Sequence, residues 1–167
     1  MDFSFEDIQL APTNDADLDY VLSLESHPEN SRFVSPWRIE KHKQAQQNPD
    51  YFHGLIANQG ERVGYLILAG LKNPNRSIEF MRIVVGNKNS GVGRKALRAV
   101  KAFCFEALKA HRLWLDVKTF NDRAKHLYVS EGFTEEGTLR DCIKTEEGYD
   151  SLTILSMLES EYFGAKA

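Results

Sequence analysis

Two apolar spacings follow one another along the chain and predict an alternating α/β order. Seven stretches have the alternating or short continuous apolar pattern of strands: residues 5–10, 51–57, 63–69, 77–85, 113–117, 133–139 and 151–158. Four have helical spacing or helix-start signals: from residue 13 or 14 to Pro28, 37–47, 91–111 and 122–130. The predicted order is therefore β-α-α-β-β-β-α-β-α-β-β.

Length and composition indicate one domain spanning residues 1–167. A chain of 167 residues with 42% hydrophobic content can fill one core. No apolar run reaches the roughly eighteen residues of a membrane span, and the first residues lack the basic and apolar segments of a signal peptide. We therefore expect no membrane association and a cytoplasmic location. Two cysteines and scattered histidines predict neither a disulfide framework nor a metal site.

The charge balance argues against a nucleic acid partner. Lysine and arginine number 21 against 24 acidic residues, and the basic residues form no long stripe. The densest basic stretch, residues 94–101, lies in the helix of residues 91–111 and is expected to be a solvated face. Arg94 is the exception, because it stands close to a candidate anion site.

That candidate site is a glycine-containing loop between the strand 77–85 and the helix that follows it. The first backbone N–H groups of a helix lack internal partners and carry the positive end of the helix dipole. Gly91 and Gly93 keep side chains away from this position. A phosphate therefore fits here without a metal. The segment that we expect to wrap it comprises Lys88, Asn89, Ser90, Gly91, Val92, Gly93 and Arg94.

Two other phosphate motifs fit less well. A Walker loop requires Gly-Lys-Ser/Thr, which the chain does not contain. Gly91, Gly93 and Ala96 match the dinucleotide pattern G-x-G-x-x-A, and Asp116 follows the next apolar run, where a ribose-binding acid belongs. However, residues 86–90 separate the strand from Gly91, and the chain after the loop is too short for repeated βαβ units.

The loop is similar to the pyrophosphate loop Q/R-x-x-G-x-G/A of the GNAT superfamily of N-acetyltransferases, with Lys88 where that pattern has Gln or Arg. A second block, N-x-x-A-x-x-L-Y-x-x-x-G-F, is matched at the expected distance. Its residues here are Asn121, Ala124, Leu127, Tyr128, Gly132 and Phe133. The segments 136–140, 148–150 and 156–162 resemble the branch that acetylates the N-termini of ribosomal proteins, the ribosomal-protein-alanine N-acetyltransferases.

This resemblance implies a fold and a donor. The fold is the single-domain α/β (α+β) acyl-CoA N-acyltransferase fold, with a mixed, mostly antiparallel, twisted sheet of about seven strands and about four helices on its faces. The donor is acetyl-CoA, and no metal is implied. The acceptor is a primary amine that attacks the thioester directly in a ternary complex. Met81, Ile83 and Asn121 are expected to contact the pantetheine arm.

Acetyl transfer to an amine needs a base for the ammonium proton and an acid for the leaving thiolate. The resemblance places Tyr128 beside the departing sulfur, and a phenol with a pKa near 10 is protonated at neutral pH. Asn121 is expected to cap the helix that follows it as well. Strand alternation puts Glu79, Met81 and Ile83 on one face, and a carboxylate among apolar side chains suits a general base. A water held by another group is the alternative.

The acceptor is least constrained by the sequence. Phe33, Trp37, Tyr149 and Asp150 are candidate pocket residues. The C-terminal likeness favours a protein N-terminus, while a polyamine, an amino-acid-like compound or an antibiotic amine stays open. A non-catalytic acyl-CoA-binding module is a further alternative, which the presence of both Glu79 and Tyr128 disfavours. Edge strands and the segment 159–163, with Tyr162 and Phe163, are candidates for pairing in a homodimer.

Overall fold

One sheet runs through the chain from its first strand to its last. The structure is a computed structural model, and it describes residues 1–86, 88 and 90–166. The strands are β1 (Phe3–Phe5), β2 (Ile8–Pro12), β3 (Tyr51–Asn58), β4 (Glu61–Ala69), β5 (Ser77–Val85), β6 (Arg112–Lys118), β7 (Thr134–Thr145) and β8 (Gly148–Leu158). The helices are α1 (Leu18–Ser26), α2 (Pro28–Ser31), α3 (Ile39–Gln47), α4 (Val92–Ala102), α5 (Asp122–Ser130) and α6 (Glu159–Gly164).

The spatial order of the sheet is β1-β2-β3-β4-β5-β6-β8-β7. The β5–β6 pair is parallel and the others are antiparallel. The expected mixed, mostly antiparallel sheet is confirmed, although it has eight strands over the described residues where about seven were predicted. Among these same residues there are six α-helices rather than about four.

The differences from the predicted elements have local causes. Residues 5–10, predicted as one strand, are split between β1 and β2, because Glu6 turns the chain with a φ of 52°. The turn contains neither glycine nor asparagine, so the sequence does not predict it. The predicted helix 91–111 is regular only to Ala102, and residues 103–107 form a π-helical turn. There Phe103, Cys104 and Phe105 are all buried, which a regular helix stripe does not achieve for three consecutive residues.

Two apolar clusters fill the two faces of the sheet. The larger one packs Leu97 and Val100 of α4, and Phe103 of the π-helical turn, against strand residues such as Leu66 and Leu113. The smaller one lies under α1 and includes Val21, Tyr65 and Val84. None of the described helices combines the length and the apolar character needed to cross a membrane.

The strand β5 changes phase at Met81. Leu68 of β4 pairs with Phe80 and Ile67 pairs with Arg82, so Met81 is an extra residue, a β-bulge. Before the bulge Phe80 packs in the larger cluster; after it Ile83 packs there, while Met81 contacts the smaller cluster. The prediction that strand alternation puts Met81 and Ile83 on one face is therefore wrong, because strict alternation is interrupted between them.

The sheet opens between β5 and β6. The parallel pairing covers only Ser77 to Glu79 on β5 and Arg112 to Trp114 on β6. Beyond these residues the two strands diverge, and β6 continues in partnership with β8 on its other side. The opening places the C-terminal halves of both strands on the walls of a cleft.

Candidate active site

The cleft between the diverging strands has a volume of about 640 Å³, within the range of small-molecule sites. Its floor is β5 from Phe80 to Val85. Three further elements close its sides, namely the segment between α1 and α3, the start of α4, and α5. The residues that these elements and β6–β8 contribute include Asn30, Phe33, Val34, Ser35, Gly91, Gly93, Arg94, Asp116, Lys118, Asn121, Arg123, His126, Tyr128, Ile143 and Leu152.

The glycine loop forms one end of the cleft. Gly91 is the N-cap of α4 and has a φ of 77°, a left-handed conformation that favours glycine. Chain neighbours and the helix backbone aside, no atom of the described residues lies within 4 Å of a Cβ placed on Gly91 or Gly93. The N–H groups of the first turn of α4, which lack partners within the helix, border this position. An anion of the size of a phosphate fits there.

Cationic side chains flank this end of the cleft. Lys88 and Arg123 both line the cleft; burial and the positive charge of Arg123 lower the pKa of Lys88, and the negative charge of Glu29 opposes this in part. Neither has a carboxylate within ion-pair distance among the described residues, so an anionic ligand would relieve their repulsion. Arg94 also lines the cleft, but its guanidinium is 2.6 Å from Glu131. Ser90 is exposed, and Val92, the first residue of α4, is buried. Asn89 lies outside the described residues.

Tyr128, the tyrosine of the second motif, lines the cleft. Tyr128 is only 7% exposed, packs edge-on against Phe133 and still contributes to the cleft wall. Burial raises its pKa, and the negative charge of Asp116 raises it further. The phenol is therefore protonated at neutral pH and can donate a proton or a hydrogen bond.

A pair of carboxylates stands where β5 and β6 part. Glu79 pairs through its backbone with Trp114, two residues before Asp116. Burial and the charge of Asp116 raise the pKa of Glu79, and burial raises the pKa of Asp116. Asp116 lines the cleft, whereas Glu79 is not among the described residues that do. Sequence reasoning considered Asp116 only as a ribose ligand, and its signal was an acid in an otherwise apolar strand.

The remaining predicted donor-site residues reach the cleft. Met81 and Ile83 both line it, on either side of the change of phase. Asn121 lines it too, and its side-chain Oδ1 accepts a hydrogen bond from the N–H of Ala124 at 3.2 Å. Asn121 is thus the N-cap of α5, as expected. His126, which the sequence did not single out, adds a third polar group from α5.

The four predicted acceptor residues are not brought together. Of them, only Phe33 is among the described residues that line the cleft. Tyr149 is 59% exposed, and Asp150 forms an ion pair with Lys118 at 3.2 Å. Trp37 follows Phe33 in the same segment but is not among the described cleft-lining residues, and its ring contacts Lys41 and Arg82. A common site for these four side chains is therefore not present.

A buried carboxylate that the sequence did not reveal fixes the cleft wall formed by the segment between α1 and α3. Glu25, fully buried, accepts hydrogen bonds from the Tyr65 hydroxyl, from Arg82 at 2.5 Å and from the backbone N–H of Trp37 at 3.0 Å. Burial alone would raise the pKa of Glu25, but these contacts and the approach of His42 lower it to about 2. Arg82 also donates to the carbonyl of Ser35 at 2.8 Å. The residues 33–37 are thereby fixed against β5.

A histidine pair extends this cluster away from the cleft. His42 Nε2 is 3.2 Å from Glu25, although the angle does not suit a hydrogen bond, and its Nδ1 is 2.9 Å from His53 Nε2. The other nitrogen of His53 is 2.7 Å from the Thr13 hydroxyl. Burial, and the nearby His42, lower the pKa of His53 from 6.5 to about 4.

Acidification is therefore expected to destabilise the fold through His53. Between about pH 6.5 and pH 4 the unfolded chain binds a proton on this histidine and the folded chain does not, so stability falls as the pH falls, by roughly 3 kcal/mol over the window. Urea unfolding at pH 7 and pH 4.5 measures this loss. His53→Gln is expected to show a smaller loss, and the exposed-site control His111→Gln the full loss. Equal losses in all three proteins would contradict the assignment.

Comparison with known proteins defines the class to which this fold and cleft belong. The sequence model of the Acetyltransferase (GNAT) family matches residues 18–133, and the chain belongs to this family. It is therefore an N-acetyltransferase that uses acetyl-CoA as its donor. The fold and donor that the two motifs implied are confirmed.

The individual relatives share about a quarter of their residues with this chain. A spermidine N(1)-acetyltransferase of Vibrio cholerae is 25% identical over 158 residues, covering 87% of this chain and 90% of the relative. One of Escherichia coli K12 is 26% identical over 147 residues, covering 81% and 77%. A crystal structure of the Vibrio cholerae spermidine N-acetyltransferase with CoA and spermine superimposes with a TM-score of 0.84 at 21% identity, over 95% of this chain and 99% of that one. This last likeness concerns the fold.

Proposed function

We propose that the protein transfers the acetyl group of acetyl-CoA to a primary amine of a small molecule, with a polyamine as the first candidate. The observation that supports this most is the continuity of one cleft. The start of α4, the protonated phenol of Tyr128 and the carboxylate of Asp116 all line it. These are the groups that the phosphates, the thioester and the amine would need.

The donor would bind with its pyrophosphate at the start of α4. The proposed binding residues are Lys88, Asn89, Ser90, Gly91, Val92, Gly93 and Arg94, chiefly through their backbone N–H groups. Arg123 and His126 extend this set on the opposite wall. The backbone of Met81 and Ile83 and the side chain of Asn121 would meet the pantetheine arm, since the diverging strands leave their inner backbone groups without ladder partners.

The reaction would be a direct attack of the amine on the thioester carbonyl. We propose Tyr128 as the acid that protonates the leaving thiolate. We propose Glu79 as part of the base. Because the cleft walls do not include Glu79, its proton would arrive through a water or through the adjacent Asp116. A pure acyl-CoA-binding module would need neither group.

The acceptor assignment changes with the comparisons. The C-terminal pattern favoured a protein N-terminus, whereas the relatives described above are named as spermidine acetyltransferases and favour a polyamine. The charges on the acceptor side are compatible with a cation, because Arg82 is neutralised by Glu25 and Lys118 by Asp150. Of the predicted acceptor residues, Phe33 keeps its role in this proposal; Trp37 would act by supporting the same wall.

Two broader expectations remain proposals. A homodimer would use β7, an edge strand exposed along most of its length, and Leu139, which is 50% exposed. Tyr162 is not available for such a contact, because its ring stacks on Phe105 and its hydroxyl donates to Glu106 at 2.6 Å. Phe163 is 44% exposed and is available. A cytoplasmic location also stays a prediction from the sequence.

Thermal unfolding with acetyl-CoA, followed by an acetylation assay, tests the proposed function. Acetyl-CoA at 100 times its Kd adds about 2.7 kcal/mol, a rise in midpoint of roughly 5–11 °C. Arg123→Ala is expected to weaken acetyl-CoA binding about tenfold and to reduce that rise by roughly 3–6 °C at the same concentration. The exposed-arginine control Arg140→Ala is expected to behave as wild type.

The assay then compares spermidine and spermine with a monoamine and with peptides that carry a free N-terminal alanine. Turnover of the polyamines supports the proposal. Turnover of the peptides alone would restore the N-terminal interpretation, and binding of acetyl-CoA without turnover of any amine would favour a binding module.

A further inference from the structure

The position of Asp116 in the cleft is not accounted for by the donor site. Among the described residues that line the cleft, Asp116 is the one acid, and Arg82, Lys88, Arg94, Lys118 and Arg123 are all cationic. Its residue is solvent-accessible, and over the described part of the chain no cation lies within ion-pair distance of its carboxylate. A carboxylate in a cleft without a partner is either a hydrated surface group or the partner of a ligand.

The surroundings of Asp116 favour a ligand partner. Asp116 lines the same cleft as Tyr128 and follows, two residues later, the strand partner of Glu79, and its negative charge raises the pKa of both groups already proposed for the chemistry. The neighbouring walls are apolar, with Met81, Ile143 and Leu152 lining the same cleft. An acid set among apolar walls suits a cation whose charge sits at the end of a methylene chain.

We propose that Asp116 receives the ammonium group of the acceptor and accepts its proton before attack. This inference rests on the proposed function and names the residue and the acceptor chemistry of the same site: a primary alkylamine that arrives as a cation. The neighbouring Glu79 adds a second negative charge that attracts the ammonium group. It shares the proton with Asp116 after the transfer. Asp116 is thus assigned a catalytic role.

The step balances without any further reagent. The ammonium gives one proton to the Asp116 carboxylate, and the neutral amine forms a C–N bond to the thioester carbonyl carbon. The carbonyl electron pair moves to oxygen and then returns as the C–S bond breaks. Tyr128 protonates the departing sulfur and recovers a proton from the nitrogen. Asp116 then loses its proton to solvent through the cleft, so the products are the acetamide, CoA and one proton.

The test measures kcat/KM for spermidine as a function of pH in wild type, Asp116→Asn and Asp116→Glu. At pH 7 we expect Asp116→Asn to lose about 100-fold in kcat/KM for the amine, with the KM for acetyl-CoA within twofold of wild type. The deficit should shrink as the pH rises toward about 10, where a growing fraction of the amine is already neutral. Asp116→Glu should recover part of the loss, and the surface control Asp15→Asn should match wild type.

The pH profile is read against every group that faces Asp116. These groups are Glu79 on β5, Tyr128 on α5 and Lys118 on its own strand, while its β8 partner, Ile154, carries no charge. The other ionisable side chains that line the cleft are those of Arg82, Lys88, Arg94, Arg123 and His126. A deficit that stays constant over pH 7–10 would show that Asp116 only shapes the site, and the proposal would be overturned.

A binding measurement separates this inference from the proposed function. Calorimetric titration of spermidine into the complex with CoA should show at least tenfold weaker binding to Asp116→Asn than to wild type. If wild type transfers acetyl to no amine, the proposed function fails. If the two proteins bind the amine equally, or turn it over equally, the Asp116 assignment fails by itself.

Discussion

Replacement of Tyr128 by phenylalanine is expected to lower kcat by roughly 10²- to 10⁴-fold, the usual contribution of a positioned acid. The substitution removes a hydroxyl that is held protonated in the cleft wall and keeps the ring that packs against Phe133. The KM for acetyl-CoA should change little, because the phenol acts on the thiolate as it forms. Release of the CoA thiol at saturating acetyl-CoA and amine gives kcat directly.

The matched control is Tyr162→Phe. This tyrosine is also buried, but it lies outside the cleft, where its ring stacks on Phe105 and its hydroxyl donates a hydrogen bond to Glu106. It is expected to keep wild-type kcat while losing about 1 kcal/mol of stability. A Tyr128→Phe enzyme within threefold of wild type would show that water protonates the leaving group.

Removal of the Glu25 side chain is expected to produce the largest loss of stability. In Glu25→Ala, the buried guanidinium of Arg82, the Tyr65 hydroxyl and the Trp37 N–H lose their common acceptor. Breaking a buried charge pair from one side costs about 3–5 kcal/mol, which for this length lowers the midpoint of unfolding by roughly 6–20 °C. Differential scanning calorimetry or urea unfolding at pH 7 measures the change.

Glu159→Ala provides the comparison, since it removes a partly exposed ion pair with Arg76 at 3.0 Å. That pair should be worth less than about 1 kcal/mol. In the steady state, Glu25→Ala should raise the KM for the amine more than the KM for acetyl-CoA, because Glu25 fixes residues 33–37 on the acceptor side. Similar stability losses for the two variants would mean that the buried cluster contributes little net stabilisation.

Local signals predicted well the elements that carry the two motifs. The strand 77–85 and the helix 122–130 were predicted with the bounds that the structure has, because each is delimited by strong breakers or a cap. The glycine loop, Asn121 and Tyr128 lie on motifs whose spacing is short. The local position of each motif depends on one helix and the turn before it, whereas their mutual position depends on the β5–β6 pairing and on the contacts of α4 with Glu131.

The acceptor side depends on contacts that no local pattern encodes. Glu25 meets Tyr65 and Arg82 across separations of 40 and 57 residues, and nothing near Glu25 in the sequence announces an inward-facing carboxylate. The bulge at Met81 follows from how β4 and β5 pair, so strand alternation extrapolated through it gave the wrong face for Ile83. The aromatic pocket candidates were chosen for their residue type. Their residue type does not determine which other side chains they contact in the fold.

The bulge at Met81 also divides β5 into two parts whose side chains have different structural roles. Upstream of it, Ile78 and Phe80 belong to the core, and their substitution is governed by packing volume. Downstream, Arg82 lies on the opposite face and contacts Glu25 and the carbonyl of Ser35. A one-residue insertion or deletion in β5 would exchange these two faces, so the length of this strand, as much as its composition, determines which of its side chains fill the core and which support residues 33–37.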